Sequence, residues 1–213
     1  MRPAPISPPG VQAWTTVSAV GIGRAALAEA LLEQRSGLRA NDDPRWPLAT
    51  WVGRVDAADA VRLPPALADR DCRVHRLAWL GLQADGFADA VARERERVGA
   101  ARIGLLLGTS ASTIAVSEQA YRELDADGRF PAGLRNPRLN TPHAVADFVR
   151  QVLQLEGPCV TVSTACSSSA KVFASAERWL RLGWVDAVVV AGVEALGASL
   201  LYGFRSLGLV SAE

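Results

Sequence analysis

Cys166 is the residue whose surroundings could do chemistry. It lies in the run Val160-Thr161-Val162-Ser163-Thr164-Ala165-Cys166-Ser167-Ser168-Ser169-Ala170, where an apolar strand passes straight into small residues able to open a helix. A thiol delivered to a helix N-terminus meets unsatisfied backbone N–H groups and the positive end of the helix dipole, and both favour the nucleophilic thiolate. The flanking serines and alanines leave room for an acyl chain, and a backbone N–H beside the sulfur can stabilise an oxyanion. Nucleophilic acyl transfer is the chemistry this pattern suits. A buried structural cysteine would carry the same local sequence, and the pattern alone leaves both readings open. The chain's two histidines, His75 and His143, both precede the cysteine, and neither is spaced to act as its base.

The elements that must position Cys166 alternate between helical and strand-like hydrophobic patterns, which argues for an α/β layer architecture. A first helix is expected over residues 24–35, with Leu27 and Leu31 on one face and Gly37 just past its end. A proline-containing stretch over 41–65 holds a short strand near 50–55. The next helix, 71–92, sets Val74, Leu77, Gly81, Ala84, Ala88 and Val91 along a stripe of largely small residues. Residues 103–107 and 187–191 are apolar at every position, as strands covered on both faces are, and Gly192 ends the second. Between them come a helix over 113–124, a turn-rich loop over 125–140 and a helix opened by Thr141-Pro142 and closed near Gly157, burying Val145, Phe148, Val149 and Val152. The strand 160–163 leads to the cysteine. A helix over 168–182 follows, with Phe173, Ala174 and Leu180 toward the core and Lys171, Arg178 and Arg181 on its polar side.

Composition excludes more than it assigns. A chain of 213 residues, 49% hydrophobic and 21% charged, has material for a sizeable core and one or two domains. Its net charge of +1 argues against a dominant polyanion partner: the 23 basic residues are arginine except Lys171 and are scattered among 22 acids, so no nucleic-acid surface is expected. Cys72, Cys159 and Cys166 are too few and too irregularly spaced for a disulfide framework or a zinc site, which fits a reducing compartment. The proline-rich start, residues 1–10, lacks the apolar core of a signal peptide, and no run reaches membrane-spanning length. No membrane association and a cytoplasmic location are expected.

The segment Thr164 to Ala170 resembles the active-site segment of β-ketoacyl-acyl-carrier-protein synthases, the elongating condensing enzymes of fatty acid and polyketide synthesis. Other landmarks agree in order: Val17-Ser18-Ala19-Val20-Gly21 with Gln34-Arg35-Ser36-Gly37-Leu38 after a helix, Arg102 to Ser110, Asp186 to Ala195, and Phe204 with Leu207-Gly208-Leu209-Val210-Ser211. The resemblance implies a thiolase-like layered α/β fold, of which residues 1–213 form the N-terminal half with a mixed, mostly parallel sheet between helices. It implies that the two catalytic histidines, a gating phenylalanine and a lysine belong to a C-terminal half absent here, so this chain alone should not complete condensation.

By the same resemblance Cys166 is the acyl-accepting nucleophile, Ser110 and Ala111 lie near the acyl pocket, and Phe204 lines it. Glu194 is a structural hydrogen-bond acceptor. The expected partner is acyl carrier protein bearing acyl and malonyl groups, with no metal or organic cofactor needed. A homodimer, or a heterodimer with a related synthase subunit, would form through the strand 160–163. Three other readings remain: a noncatalytic partner of the chain-length-factor kind, a thiolase-fold acyltransferase using coenzyme A thioesters, and an unrelated cysteine acyltransferase or hydrolase.

Overall fold

The computed structural model describes residues 8–136 and 138–211. The first seven residues of the proline-rich start, Pro137 of the turn-rich loop and the last two residues lie outside that description. Two short antiparallel pairs come first: β1 (Val17–Ser18) with β2 (Gly21–Ile22) and, after helix α1 (Gly23–Leu32), β3 (Leu38–Ala40) with β4 (Trp51–Gly53). Helices α2 (Ala57–Ala60), α3 (Arg73–Gln83) and α4 (Phe87–Val98) lead to β5 (Ile103–Gly108). Helices α5 (Ile114–Arg122) and α6 (Ala144–Val152) lead to β6 (Cys159–Val162), and α7 (Ser168–Arg181), β7 (Ala187–Gly192) and α8 (Ala198–Ser206) follow.

Strands β6, β5 and β7 form one parallel sheet in that order, with helical crossovers between them as parallel strands require. Its centre, β5, is buried at all six positions. The two-residue period of a strand divides those positions between two faces. Ile103, Leu105 and Leu107 enter one core with Val145, Phe148 and Val149 of α6 and Val74, Ala78 and Leu82 of α3. Leu106 faces the other way, onto Val172 and Ala176 of α7. The remaining positions on that second face are Gly104 and Gly108, where a Cβ would stand 2.9 Å from the Trp179 ring and 2.8 Å from the Ser168 backbone. Glycine here is a docking surface for α7.

The strands at 103 and 187 agree with their sequence expectation, each one residue longer. Several helix details differ, for local reasons. The helix expected over 71–92 is two, because Asp85 (φ +56°) and Gly86 (φ +67°) take left-handed backbone between α3 and α4. Asp85 is thereby turned to accept the Arg24 N–H at 3.0 Å, in the first turn of α1, whose own N-cap residue, Ile22, supplies no side-chain acceptor. The buried side of α3 is Val74, His75, Ala78 and Leu82, displaced from the stripe the sequence indicated. Helix α1 ends at Gln34 (φ +53°), with Gln34 and Arg35 N–H groups bonding back to Leu31 and Ala30, and Leu31 is 69% exposed. Helix α6 begins at Ala144, after a turn closed by the Ala144 N–H on the Thr141 carbonyl, and ends at Gln154 (φ +54°) in the same way as α1. Gly37 and Gly157 are close-approach positions: a Cβ at Gly37 would meet the Ala19 backbone at 2.6 Å, and one at Gly157 would collide with the Ile103 carbonyl.

Candidate functional site

Cys166 stands exposed in the turn between β6 and α7. The turn is made by Ala165, a non-glycine residue at φ +54°, a conformation costing roughly 1–2 kcal/mol that the surroundings must hold. Two serines hold it. Ser168, almost fully buried, accepts the Thr164 N–H at 2.9 Å and donates to the Ala165 carbonyl at 2.7 Å. Ser167 donates to the Thr164 carbonyl at 3.0 Å and lies 3.0 Å from the Thr164 hydroxyl. The serine run read from sequence as space for an acyl chain is therefore also the brace of the cysteine turn. Ser169 completes the seating, since a Cβ on Gly192 at the end of β7 would lie 2.6 Å from its hydroxyl.

The Ser168 hydroxyl also lies 3.4 Å from the Thr109 carbonyl, which joins the cysteine turn to the turn leaving β5. That second turn is gathered by one carboxylate. Glu194 accepts the Thr109 hydroxyl at 2.8 Å, the Ser110 N–H, and the Ala111 N–H at 3.3 Å. The expected structural role of Glu194 is what these bonds describe. Thr109 was not singled out from sequence, yet its hydroxyl bonds Glu194 while accepting the Ser112 N–H at 2.8 Å. A buried threonine directly after a fully apolar strand was the available signal.

A groove of about 370 Å³ opens beside this turn, lined by Trp51, Ser110, Glu194, Leu200, Phe204 and Leu209 among others. It brings together two of the expected pocket residues, Ser110 and Phe204; Phe204 is on α8 and 44% exposed. Ala111 is in the same turn as Ser110 but outside the groove's lining, and so is Cys166. A second groove, about 430 Å³, lies elsewhere among Arg70, Arg138, Asp147 and Arg150 and holds none of the expected residues.

The other cysteines and the histidines lie apart from the cysteine turn. Burial pushes the thiols of Cys72 and Cys159 up to about 11. Cys159 is part of β6 itself, opposite Leu105. His75 is wholly buried, stacked at 4.4 Å on the Phe148 ring with Nδ1 2.6 Å from the Arg70 carbonyl, and burial pushes its pKa down. His143 is exposed before α6, its Nδ1 2.8 Å from the Thr161 hydroxyl on β6. Neither bonds to the cysteine turn. Among the described residues no group of three or more His, Cys, Asp or Glu could hold a metal ion, and no helix is long and apolar enough to cross a membrane.

Helix α7 departs from expectation on its outer side. Val172 and Ala176 are its buried apolar residues, whereas Phe173 is 60% exposed and Ala174 is exposed. The reason is angular: residues 168, 172, 176 and 179 share one face at helical spacing, and Phe173 points about 100° away from Val172.

Comparison with known proteins adds three relatives and a family. Residues 11–213 match the family described as "Beta-ketoacyl synthase, N-terminal domain". A nodulation protein E from Rhizobium sp. is 33% identical over 94 residues, 44% of this chain and 23% of that protein. Polyketide synthase ThaG of Burkholderia thailandensis is 31% identical over 185 residues, 84% of this chain and 3% of that protein. Among solved structures, the ketosynthase ApeO in complex with its chain length factor ApeC from Xenorhabdus doucetiae superposes with a TM-score of 0.78 at 25% identity, over 94% of this chain and 50% of the matched chain. The matches thus span between a few per cent and half of the relatives' own lengths. The layered parallel sheet between helices is the thiolase-like arrangement of the ketosynthases.

Proposed function

The chain belongs to the β-ketoacyl synthase family through that family's N-terminal domain, and from this premise we propose that it is the nucleophile-bearing half of a β-ketoacyl-acyl-carrier-protein synthase. The observation that carries the reading is the exposed Cys166 on a left-handed turn braced by Ser167 and Ser168. In the proposed reaction the Cys166 thiol gives its proton to solvent, its thiolate attacks the carbonyl of an acyl thioester, the C–S bond to the carrier breaks, and the carrier sulfur leaves as a thiolate that takes a proton back from solvent. Its own backbone N–H is the proposed oxyanion donor. Condensation follows when a malonyl thioester loses carbon dioxide and its carbanion attacks the acyl-Cys166 carbonyl, releasing a β-ketoacyl product and restoring the thiolate. The two histidines needed to hold the malonyl carbonyl are proposed to lie in a second half, because His75 is sealed in the core and His143 sits at the β6 edge.

Two surfaces support that assembly. The outer side of α7, with Phe173 and Ala174 uncovered, is where a second half would pack, and β6 is an edge strand with Val160 42% exposed, available to pair with a related subunit. Polyketide or fatty acid synthesis is the proposed setting, in the cytoplasm. The experiment is acyl transfer from an acyl-acyl-carrier-protein followed by intact mass and peptide mapping. One acyl adduct at Cys166, lost in Cys166→Ala, is expected. β-Ketoacyl product is expected only when the histidine-bearing half is present. A complete protein that takes up no acyl group at Cys166 sinks the reading and leaves the noncatalytic, chain-length-factor-like role, which the pairing of ketosynthase with chain length factor in the ApeO complex keeps in view.

A further inference from the structure

Two of the elements that line the groove beside the Ser110 turn, that turn itself and α8, are each fixed by a carboxylate from another part of the chain. Glu194 gathers the Ser110 turn. The other is α8, which carries Leu200 and Phe204 and leads into Leu209. Helix α8 has no cap of its own, since the residue before its first turn is Gly197. Its leading N–H groups, on Ala198 and Ser199, instead donate to the two carboxylate oxygens of Glu118 at 2.9 and 2.7 Å, about eighty residues earlier in the chain on α5. Burial works to push the Glu118 carboxyl up, but the Ser199 and Ala198 hydrogen bonds outweigh it and hold the group below its ordinary value, charged against the positive end of the helix. The fit is tight: a Cβ on Gly197 would lie 3.4 Å from both Glu118 oxygens.

The rest of the anchoring of α8 is on one side: Leu201 is its one buried residue, packed on Trp46 and Val52 with Ala198 alongside, while Tyr202 and Phe204 are partly exposed and Leu207 beyond is 70% exposed. Helix α5 begins at Ile114, directly after the turn that Glu194 gathers, so Glu118 ties the α8 wall to the Ser110 wall through one short helix. We propose that Glu118 is a positioning residue for the groove, fixing α8 and Phe204 relative to Ser110, whose turn the Ser168 hydroxyl joins to the cysteine turn, and thereby setting which acyl chain lengths are accepted beside Cys166. The length-setting half of this inference rests on the acyl-transfer reading above; the positioning half does not.

The test uses the complete protein, including the proposed histidine-bearing half, unaltered and as Glu118→Ala and Glu118→Gln, with hexanoyl- and dodecanoyl-pantetheine as probes. Hydrogen exchange is read at the α8 amides, loading rates at Cys166 by mass spectrometry, and iodoacetamide alkylation of Cys166 reports that the cysteine turn is intact. In Glu118→Ala the α8 amides are expected to exchange about tenfold faster, the scale of a lost helix cap. The ratio of dodecanoyl to hexanoyl loading is expected to change about fivefold, with iodoacetamide reactivity unchanged. Glu118→Gln, which keeps one acceptor oxygen, should fall between. Unchanged α8 exchange overturns the positioning role, and faster exchange with an unchanged loading ratio overturns the length-setting role. If the unaltered complete protein alkylates but loads neither thioester, the acyl-transfer reading and the length-setting role fall together, and α8 exchange still decides whether Glu118 positions the wall.

Discussion

The two faces of the central sheet are built to different standards. Under α3 and α6, β5 presents Ile103, Leu105 and Leu107, met by Val145, Phe148 and Val149, all of them sealed from solvent. Under α7 the same strand presents two glycines and Leu106, and the helix answers with Val172 and Ala176. The first face is a finished core. The second gives up side-chain volume so that α7 can lie close to the sheet, its N-terminus pressed onto Gly108 and Gly192 where the cysteine turn begins. Stability is thus concentrated on one side of the sheet and placement on the other. Phe173 stays uncovered on the outer side of α7, the side proposed above to receive a second half.

The largest test of that contrast is a pair of aromatic truncations. Phe148→Ala removes a fully buried ring stacked on His75 and should cost about 3–5 kcal/mol. Phe173→Ala should cost about 0.5 kcal/mol or less in this chain. Urea midpoints of the two variants read the difference, and equal losses would break the contrast. The ion pairs offer a smaller version. Arg70, only 4% exposed, bonds Asp147 at 2.6 Å beneath α6, and Asp147→Ala should cost about 3 kcal/mol by leaving that guanidinium buried without its partner. Arg181→Ala removes an exposed pair with Glu177 on α7 and should cost about 0.5 kcal/mol or less.

The same carboxylate carries a pH signature. Burial works to raise the Asp147 pKa, but Arg150 and Arg70 outweigh it and hold the carboxyl below its ordinary 3.8. A depressed folded value means that the pair's stabilisation is complete above 3.8 and is lost as pH falls through the lower folded value. Acid unfolding should therefore lose that portion of its pH dependence in Asp147→Asn, read as the change in urea midpoint between pH 7 and the acid limb.

What the sequence made legible follows the same division. The central strands and the buried side of α6 were readable because continuous apolar runs and helical spacing encode burial directly: Val145, Phe148 and Val149 are where the period puts them. The position of Cys166 between strand and helix was readable from the switch to small residues. Phe173 was misplaced because it is apolar yet lies about 100° round α7 from Val172, off the face that meets the sheet. Helix α8 was not read from sequence at all, and the C-terminal ends of α1 and α6 were set a few residues late, because the groups that end or cap these helices do not follow local rules. Asp85 serves α1 and Glu118 serves α8 across 61 and 80 to 81 residues, and Gln34 and Gln154 take left-handed positions that local rules assign to glycine. Of the expected pocket residues the structure places Ser110 and Phe204 in one groove, and the partner of that wall, Glu118, carried no signal in its own segment.

The smallest effect on stability, and the sharpest on reactivity, belongs to the three cysteines. Cys72 and Cys159 both pack against the finished core, and with thiols pushed up to about 11 they hold ~0.1% thiolate at pH 8. Cys166 is exposed at the end of the other face. Limiting iodoacetamide at pH 8 should therefore give a single adduct at Cys166, and since that side chain packs against little, the adduct should shift unfolding by about 0.5 kcal/mol or less. Modification of Cys159 at a comparable rate would mean that β6 leaves the sheet often enough to expose its core side. That would place the weak point of the molecule on the α6 face, and the division between a stable side and a positioning side would have to be redrawn around β6 rather than α7.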